Sequence, residues 1–205
     1  MSEPIIKALF LDVGGVLMTN GWDHLLRRKV AEKFGVEADE MSERHHLVFD
    51  TYETGKLSFD EYLNRVVFYK PRTFSLEEFK TYIFDAVRPF SQMLDYVKAL
   101  RVKHNLKIGI VSNEGRELAE DRIERFRLSE FIDFFIISSF VHFRKPDPDI
   151  FKLAIDVAQV APSEIVYIEN TLLLVEVAQG LGINGLHYTS FEATKKALER
   201  YFGVM

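Results

Sequence analysis

Four polar clusters, each set just past a short apolar run, hold most of the chemistry this sequence offers. The first is Phe10-Leu11-Asp12-Val13-Gly14-Gly15, an aspartate closing an apolar run with two glycines behind it. A carboxylate at such a place can act as nucleophile or metal ligand, and glycines let backbone come close to a ligand. The second is Val111-Ser112-Asn113, where a hydroxyl and an amide precede a helical pattern. Backbone N–H groups at a helix start, together with the Ser112 hydroxyl, suit a phosphate. The third is Arg144-Lys145-Pro146-Asp147-Pro148, which fixes a lysine in a proline-locked loop. A fixed ammonium suits negative charge developing on a phosphoryl group. The fourth is Tyr167-Ile168-Glu169-Asn170, whose oxygen donors suit Mg²⁺. Read singly, each has an ordinary structural explanation: a turn aspartate, a helix cap, a solvated loop lysine, another cap.

The elements that must position these residues follow from the apolar pattern. Residues 5–11, 107–112, 134–138, 165–168 and 185–188 are apolar almost throughout, as strands covered on both faces should be. Helical spacing occupies 114–126, 149–158, 172–181 and 191–202, so strand and helix alternate and a parallel sheet is expected. The first strand breaks the rhythm, because the 95 or so residues after it are mostly helical. Helices are expected at 23–34, 39–52, 59–68, 76–87 and 91–103, with capping boxes at Ser58/Glu61 and Ser75/Glu78. Residues 18–88 therefore read as a helical domain inserted into an α/β core of 1–17 and 89–205, with hinges near residues 18–21 and Pro89.

Composition narrows the function classes. With 26 Lys and Arg against 31 Asp and Glu the net charge is −5, without the basic excess of a nucleic-acid binder. The absence of cysteine excludes disulfides, thiolate metal sites and a cysteine nucleophile. No apolar run reaches the roughly 18 residues of a membrane span, and the N-terminus lacks the basic start of a signal peptide, so the cytoplasm is the expected compartment. Gly180-Leu181-Gly182-Ile183-Asn184-Gly185 matches the dinucleotide fingerprint, but it ends a helix instead of opening one. His45 and His46 read as solvated helix residues, His24, Trp22 and Arg27 as candidates to line a cleft, and most of the 18 phenylalanines as core.

Asp12, Ser112, Lys145 and Glu169, in that order and at those positions, resemble the four motifs of the haloacid dehalogenase superfamily, and the run Lys145-Pro146-Asp147-Pro148-Asp149-Ile150-Phe151 strengthens the likeness. The resemblance covers nearly the whole chain, and the insert is similar to the family's small helical (C1-type) cap. It implies a Rossmann-like parallel sheet of about five strands in the order 3-2-1-4-5. It also implies a hydrolase, specifically a Mg²⁺-dependent phosphatase acting on a small phosphorylated metabolite through an aspartyl-phosphate on Asp12. Asp12 and Lys145 would be catalytic. Ser112, Asn113, Lys145 and Gly15 would hold the substrate. Asp12, the Gly14 carbonyl, Glu169 and Asn170 would hold the metal.

Two departures bear on rate. The family's phosphatases usually carry a second aspartate two residues after the nucleophile; here that position is Gly14. A positioned acid–base is typically worth about 10²–10⁴-fold. The acidic pair of the fourth motif reads Glu169-Asn170, which drops one negative charge from the metal site. These departures imply a weakened enzyme, with a non-catalytic ligand- or partner-binding protein as the alternative. The metal-free 2-haloacid dehalogenases also lack the second aspartate, but they need Ser, Asn and Asp around the fourth strand end. Glu169-Asn170-Thr171 does not supply them.

Overall fold

A computed structural model describes residues 5–203. Five parallel strands, β1 (Ala8–Leu11), β2 (Lys107–Ser112), β3 (Phe134–Ile137), β4 (Ile165–Glu169) and β5 (Asn184–His187), form one sheet in the order β3-β2-β1-β4-β5. That is the expected 3-2-1-4-5. All four residues of the central strand β1 are apolar and buried. Alternation along the strands supplies both faces. Leu9, Leu11, Ile108, Ile110, Val166 and Ile168 join one apolar cluster, while Ala8, Phe10, Val111, Ile165 and Tyr167 join another. Gly109 belongs to this packing, because a Cβ there would overlap the Phe134 ring, which meets Phe10 edge-on at 5.7 Å.

Helices cover both faces, as an all-parallel sheet requires. After the helical segment between β1 and β2 comes α5 (Ser91–His104). The rest are α6 (Arg116–Arg125), the short α7 (Ser138–Val141), α8 (Pro148–Ala158), α9 (Leu172–Gly180) and α10 (Phe191–Phe202). Asp147 caps α8 by accepting from the Asp149 N–H at 2.9 Å, with Pro148 at the first helical position, where its missing N–H costs nothing.

Between β1 and α5 lie α1 (His24–Phe34), α2 (Ala38–Glu53), α3 (Phe59–Val66) and α4 (Leu76–Asp85). Both expected capping boxes are present, at Ser58/Glu61 and Ser75/Glu78. These helices have their own apolar centre around Trp22, Val30, Tyr62, Leu63 and Phe79, to which α6 adds Leu118. The two segments joining this unit to the sheet run side by side. Thr19 N–H donates to Arg88 O at 2.8 Å, Arg88 N–H to Thr19 Oγ1 at 3.0 Å, and Phe90 N–H to Leu17 O at 2.9 Å.

Several boundaries differ from the sequence reading. The β1 ladder starts at Ala8, where both neighbouring strands first pair with it, and Ile5 is exposed. Beyond β3, Ser138 turns into α7 instead of extending the strand. The helix after β2 begins at Arg116, two residues later than expected, because Asn113 and Glu114 make contacts across the site. Glu3 and Pro4, part of the N-terminal compartment reading, lie outside the described residues.

Candidate active site

Because β1 pairs with β2 on one side and β4 on the other, Asp12 emerges between two strand ends, its N–H donating to Ile168 O at 3.0 Å. Ser112 ends β2 and Glu169 ends β4, so the topology alone brings three of the four motifs to one rim. Lys145 reaches the same rim from the loop before α8. Its Nζ, 2% exposed, lies 3.0 Å from Asp12 Oδ1, 2.6 Å from Glu169 Oε2, 3.0 Å from Val111 O and 2.9 Å from the Tyr167 hydroxyl. The lysine is thus a buried cation between two carboxylates, not a solvated loop residue.

The electrostatics follow from burial. Burial alone would lower the Lys145 pKa, but Asp12 and Glu169 outweigh it and the ammonium is held above its ordinary value. Burial raises the Asp12 carboxyl above 3.8, with the Lys145 ammonium pulling down, Glu169 pushing up and the Ser112 hydroxyl pulling down. The outcome is a nucleophile-grade carboxylate: poorly solvated, yet held in place by a fixed cation.

Asn113 supports this arrangement indirectly. Its Oδ1 accepts from the Lys145 N–H at 2.8 Å and its Nδ2 donates to the Lys145 carbonyl at 2.8 Å. The side chain clamps the lysine's backbone at two points and so positions the loop, in a residue that also lines the cavity. Glu169 is equally committed. Its Oε2 receives Lys145 Nζ and the Tyr167 O–H, the latter at 2.6 Å, and its Oε1 receives the Thr171 N–H at 3.0 Å. Gly15 corrects the sequence reading. Its N–H donates to Met18 O at 2.7 Å, and the residue lines a separate cavity beside Phe90 and Tyr188, not the one that holds Asp12. At φ +77 it must be glycine, since a Cβ would also overlap the Asn170 side chain.

Asp12, Ser112 and Lys145 open into a cavity of about 400 Å³ between the strand ends and the helical unit. Trp22, His24 and Arg27 line it, as the sequence suggested. His45 was misread as solvated: it is buried, accepts the Tyr62 hydroxyl through Nδ1 at 2.6 Å, and burial lowers its pKa to about 3. Tyr62 in turn accepts the Trp22 indole N–H at 2.7 Å, so three wall residues form one chain of hydrogen bonds. Two further carboxyls escaped the sequence reading, both in the cavity wall and both pushed to about 7 by burial. Glu53 pairs with Arg144 at 2.7 Å, and Glu114 with Arg122 at 2.9 Å.

Among the described residues no group of three or more His, Cys, Asp or Glu converges as a metal cluster. A Mg²⁺ site needs less, since that ion keeps several waters and takes one or two carboxylates. The donors that fit are the Asp12 carboxylate, the Gly14 carbonyl and the Asn170 amide oxygen, all in residues lining the cavity. Glu169 also lines the cavity; its Oε2 is occupied by Lys145 and Tyr167, while its Oε1 accepts one N–H and keeps a lone pair.

Comparisons with known proteins agree with this geometry. The profile of the family described as Haloacid dehalogenase-like hydrolase matches residues 25–187. A phosphorylated carbohydrates phosphatase of Thermotoga maritima is 27% identical over 89% of this chain and 84% of its own. A D-ribitol-5-phosphate phosphatase of Bacteroides thetaiotaomicron is 26% identical over 87% of this chain and 89% of its own. The fold superposes on a HAD family enzyme of Bacteroides thetaiotaomicron crystallised with magnesium and inorganic phosphate, at a TM-score of 0.76 and 22% identity over 91% of this chain and 96% of that one. With the strand order, the rim of Asp12, Ser112, Lys145 and Glu169 and the profile match all in agreement, the chain belongs to the haloacid dehalogenase-like hydrolase family.

Proposed function

We propose that this protein is a Mg²⁺-dependent phosphatase of small phosphorylated carbohydrates or polyols, with Asp12 as nucleophile. The observation that carries the reading is the Asp12 carboxylate held 3.0 Å from a buried ammonium in a cavity shared with Ser112, Asn113 and Asn170. The named activities of the two relatives and the magnesium–phosphate complex of the structural neighbour support the ligand class. They also favour turnover over the binding-only alternative.

A phosphate monoester dianion placed beside Asp12 and Glu169 leaves a negative excess that Lys145 cannot balance alone. Mg²⁺, held by Asp12, the Gly14 carbonyl and Asn170, would supply the missing positive charge. Asp12 attacks phosphorus, the P–O bond to the alcohol breaks, and the phosphoryl group is carried as an aspartyl-phosphate until water releases it. Lys145 and the Ser112 hydroxyl stabilise charge on the phosphoryl oxygens. Glu169 keeps Lys145 charged and aimed. Asn170, neutral where the family usually has a carboxylate, loosens the metal site. The helical unit, residues 18–88, serves as the cap over the core of 1–17 and 89–205, and its wall residues choose the substrate.

The test is phosphate release from a panel of sugar, polyol and aryl phosphates, with and without Mg²⁺, by wild type and Asp12→Asn. Mg²⁺-dependent release that vanishes in Asp12→Asn is expected. Equal turnover by both proteins ends the reading.

A further inference from the structure

Position 14 has no side chain, so the usual proton donor of the family is missing from the strand-end loop. The space beside it is not empty. A Cβ on Gly14 would lie 3.2 Å from Asn20 Oδ1 and 3.9 Å from Arg122 Nη1. That same Nη1 is 2.9 Å from Glu114 Oε1, and Glu114 Oε1 would lie 3.4 Å from a Cβ on Gly21, the other glycine at this edge. The Glu114 carboxyl is therefore linked through Arg122 to the space beside position 14, and both residues line the cavity.

Glu114 is also held there. It sits two residues beyond Ser112, its N–H donates to Ser138 Oγ at 2.9 Å, and its side chain is fixed by Arg122, itself 2% exposed. Arg122 pairs with Glu114 Oε1, and Glu114 lines the same cavity as Asp12. The charged groups around it set its proton affinity. Burial raises it to about 7, Arg122 of α6 pulls down, and Asp12 of the β1 end, Glu53 of α2 and Asp121 of α6 push up. A carboxyl poised near neutral pH can both give and take a proton.

We propose that Glu114 is the general acid and base of the reaction, taking from the loop after β2 the role that Gly14 leaves vacant. The proposal rests on the phosphatase reading of Asp12. As Asp12 attacks phosphorus and the P–O bond to the alcohol breaks, the leaving oxygen takes the proton of Glu114. The carboxylate so formed removes a proton from the water that attacks the aspartyl-phosphate. Inorganic phosphate leaves, Asp12 is restored and Glu114 is protonated again. Glu53, the other wall carboxyl raised to about 7, is a poorer candidate: Arg144 holds its Oε2 through both Nε at 3.0 Å and Nη2 at 2.7 Å, and it stands on α2.

The test compares a polyol phosphate, whose alkoxide needs a proton to leave, with p-nitrophenyl phosphate, whose phenolate does not. Glu114→Gln keeps an oxygen for Arg122. It should lower kcat/KM on the polyol phosphate by about 10²–10⁴-fold. Its pre-steady-state burst of nitrophenolate should persist at one equivalent per enzyme, because phosphoryl transfer to Asp12 survives while release by water slows. The pH–rate limb near neutrality should disappear with it. Glu114→Asp, which keeps the charge for Arg122 but shortens the reach, should fall between the two proteins. Equal losses on both substrates in folded Glu114→Gln, or no loss on either, overturns the proposal while leaving the phosphatase reading intact. Turnover surviving in Asp12→Asn overturns that reading and this one with it.

Discussion

Replacing Lys145 by methionine keeps most of the stem volume and removes only the charge. In the native protein that charge faces Asp12 at 3.0 Å and Glu169 at 2.6 Å, with side-chain exposures of 2%, 11% and 1%. Removing one partner from a buried ion pair leaves an uncompensated buried charge and costs about 3–5 kcal/mol. Here one ammonium serves two carboxylates, so the upper part of that range applies, equivalent to a shift of roughly 2 M in a urea midpoint. The pH dependence gives a second check. The Asp12 pKa is already raised in the folded protein, and losing the ammonium raises it further. A carboxyl with a raised folded pKa binds a proton that the unfolded chain has released, so stability falls as pH rises through the window between the two values. The deficit of Lys145→Met should therefore grow as pH rises and shrink towards acid. Adding Glu169→Gln to Lys145→Met should cost less than the sum of the single changes, because the second substitution removes a charge that the first left stranded. Urea denaturation of the four proteins across pH measures all of this. A Lys145→Met deficit under about 1 kcal/mol, the size of an exposed pair, would refute the reasoning. So would a deficit indifferent to acid.

Two further outcomes follow from the same structure. Glu53, with its pKa raised from 4.5 to about 7, imposes a penalty that is absent below its unfolded value and fully present above neutrality. Glu53→Gln should flatten the loss of stability between about pH 5 and pH 8 by up to about 3 kcal/mol, read from denaturation midpoints at each pH. Gly109→Ala forces a methyl into the Phe134 ring and should destabilise by about 1–3 kcal/mol, seen as a lower Tm, with no change in Mg²⁺ affinity by calorimetry.

How far the sequence disclosed this molecule depended on the range of the signal. The strands were legible because runs such as Ile108–Val111 must be covered on both faces. Their order came from the family resemblance, since nothing in local spacing says that β4 returns to the far side of β1. Asp12, Ser112 and Lys145 were found because they sit at strand ends or in a proline-fixed loop. Their partners were harder to see. Tyr167 stands in the fourth cluster, but only the period-2 register with Glu169 hints that its hydroxyl reaches the rim. Glu114 and Arg122, eight residues apart, have no spacing that marks them as a pair, and they come together beside Gly21 under the helical unit. Glu169 and Asn170 were read as metal donors by residue type, and the contact of Glu169 with Lys145 was not visible in the sequence. Gly15 was assigned to the ligand by its place in the motif, but its N–H is spent within its own turn.

The paired connections between sheet and helices, Thr19 against Arg88 and Leu17 against Phe90, have a mechanical consequence. Two separate tethers would let the helical unit twist as well as tilt. Laced together they behave as a ribbon, which flexes easily across its flat face and resists shear within its plane. Any swing of the helices away from the strand ends would have to bend this ribbon and release contacts such as the ion pairs of Arg144 with Asp50 and Glu53.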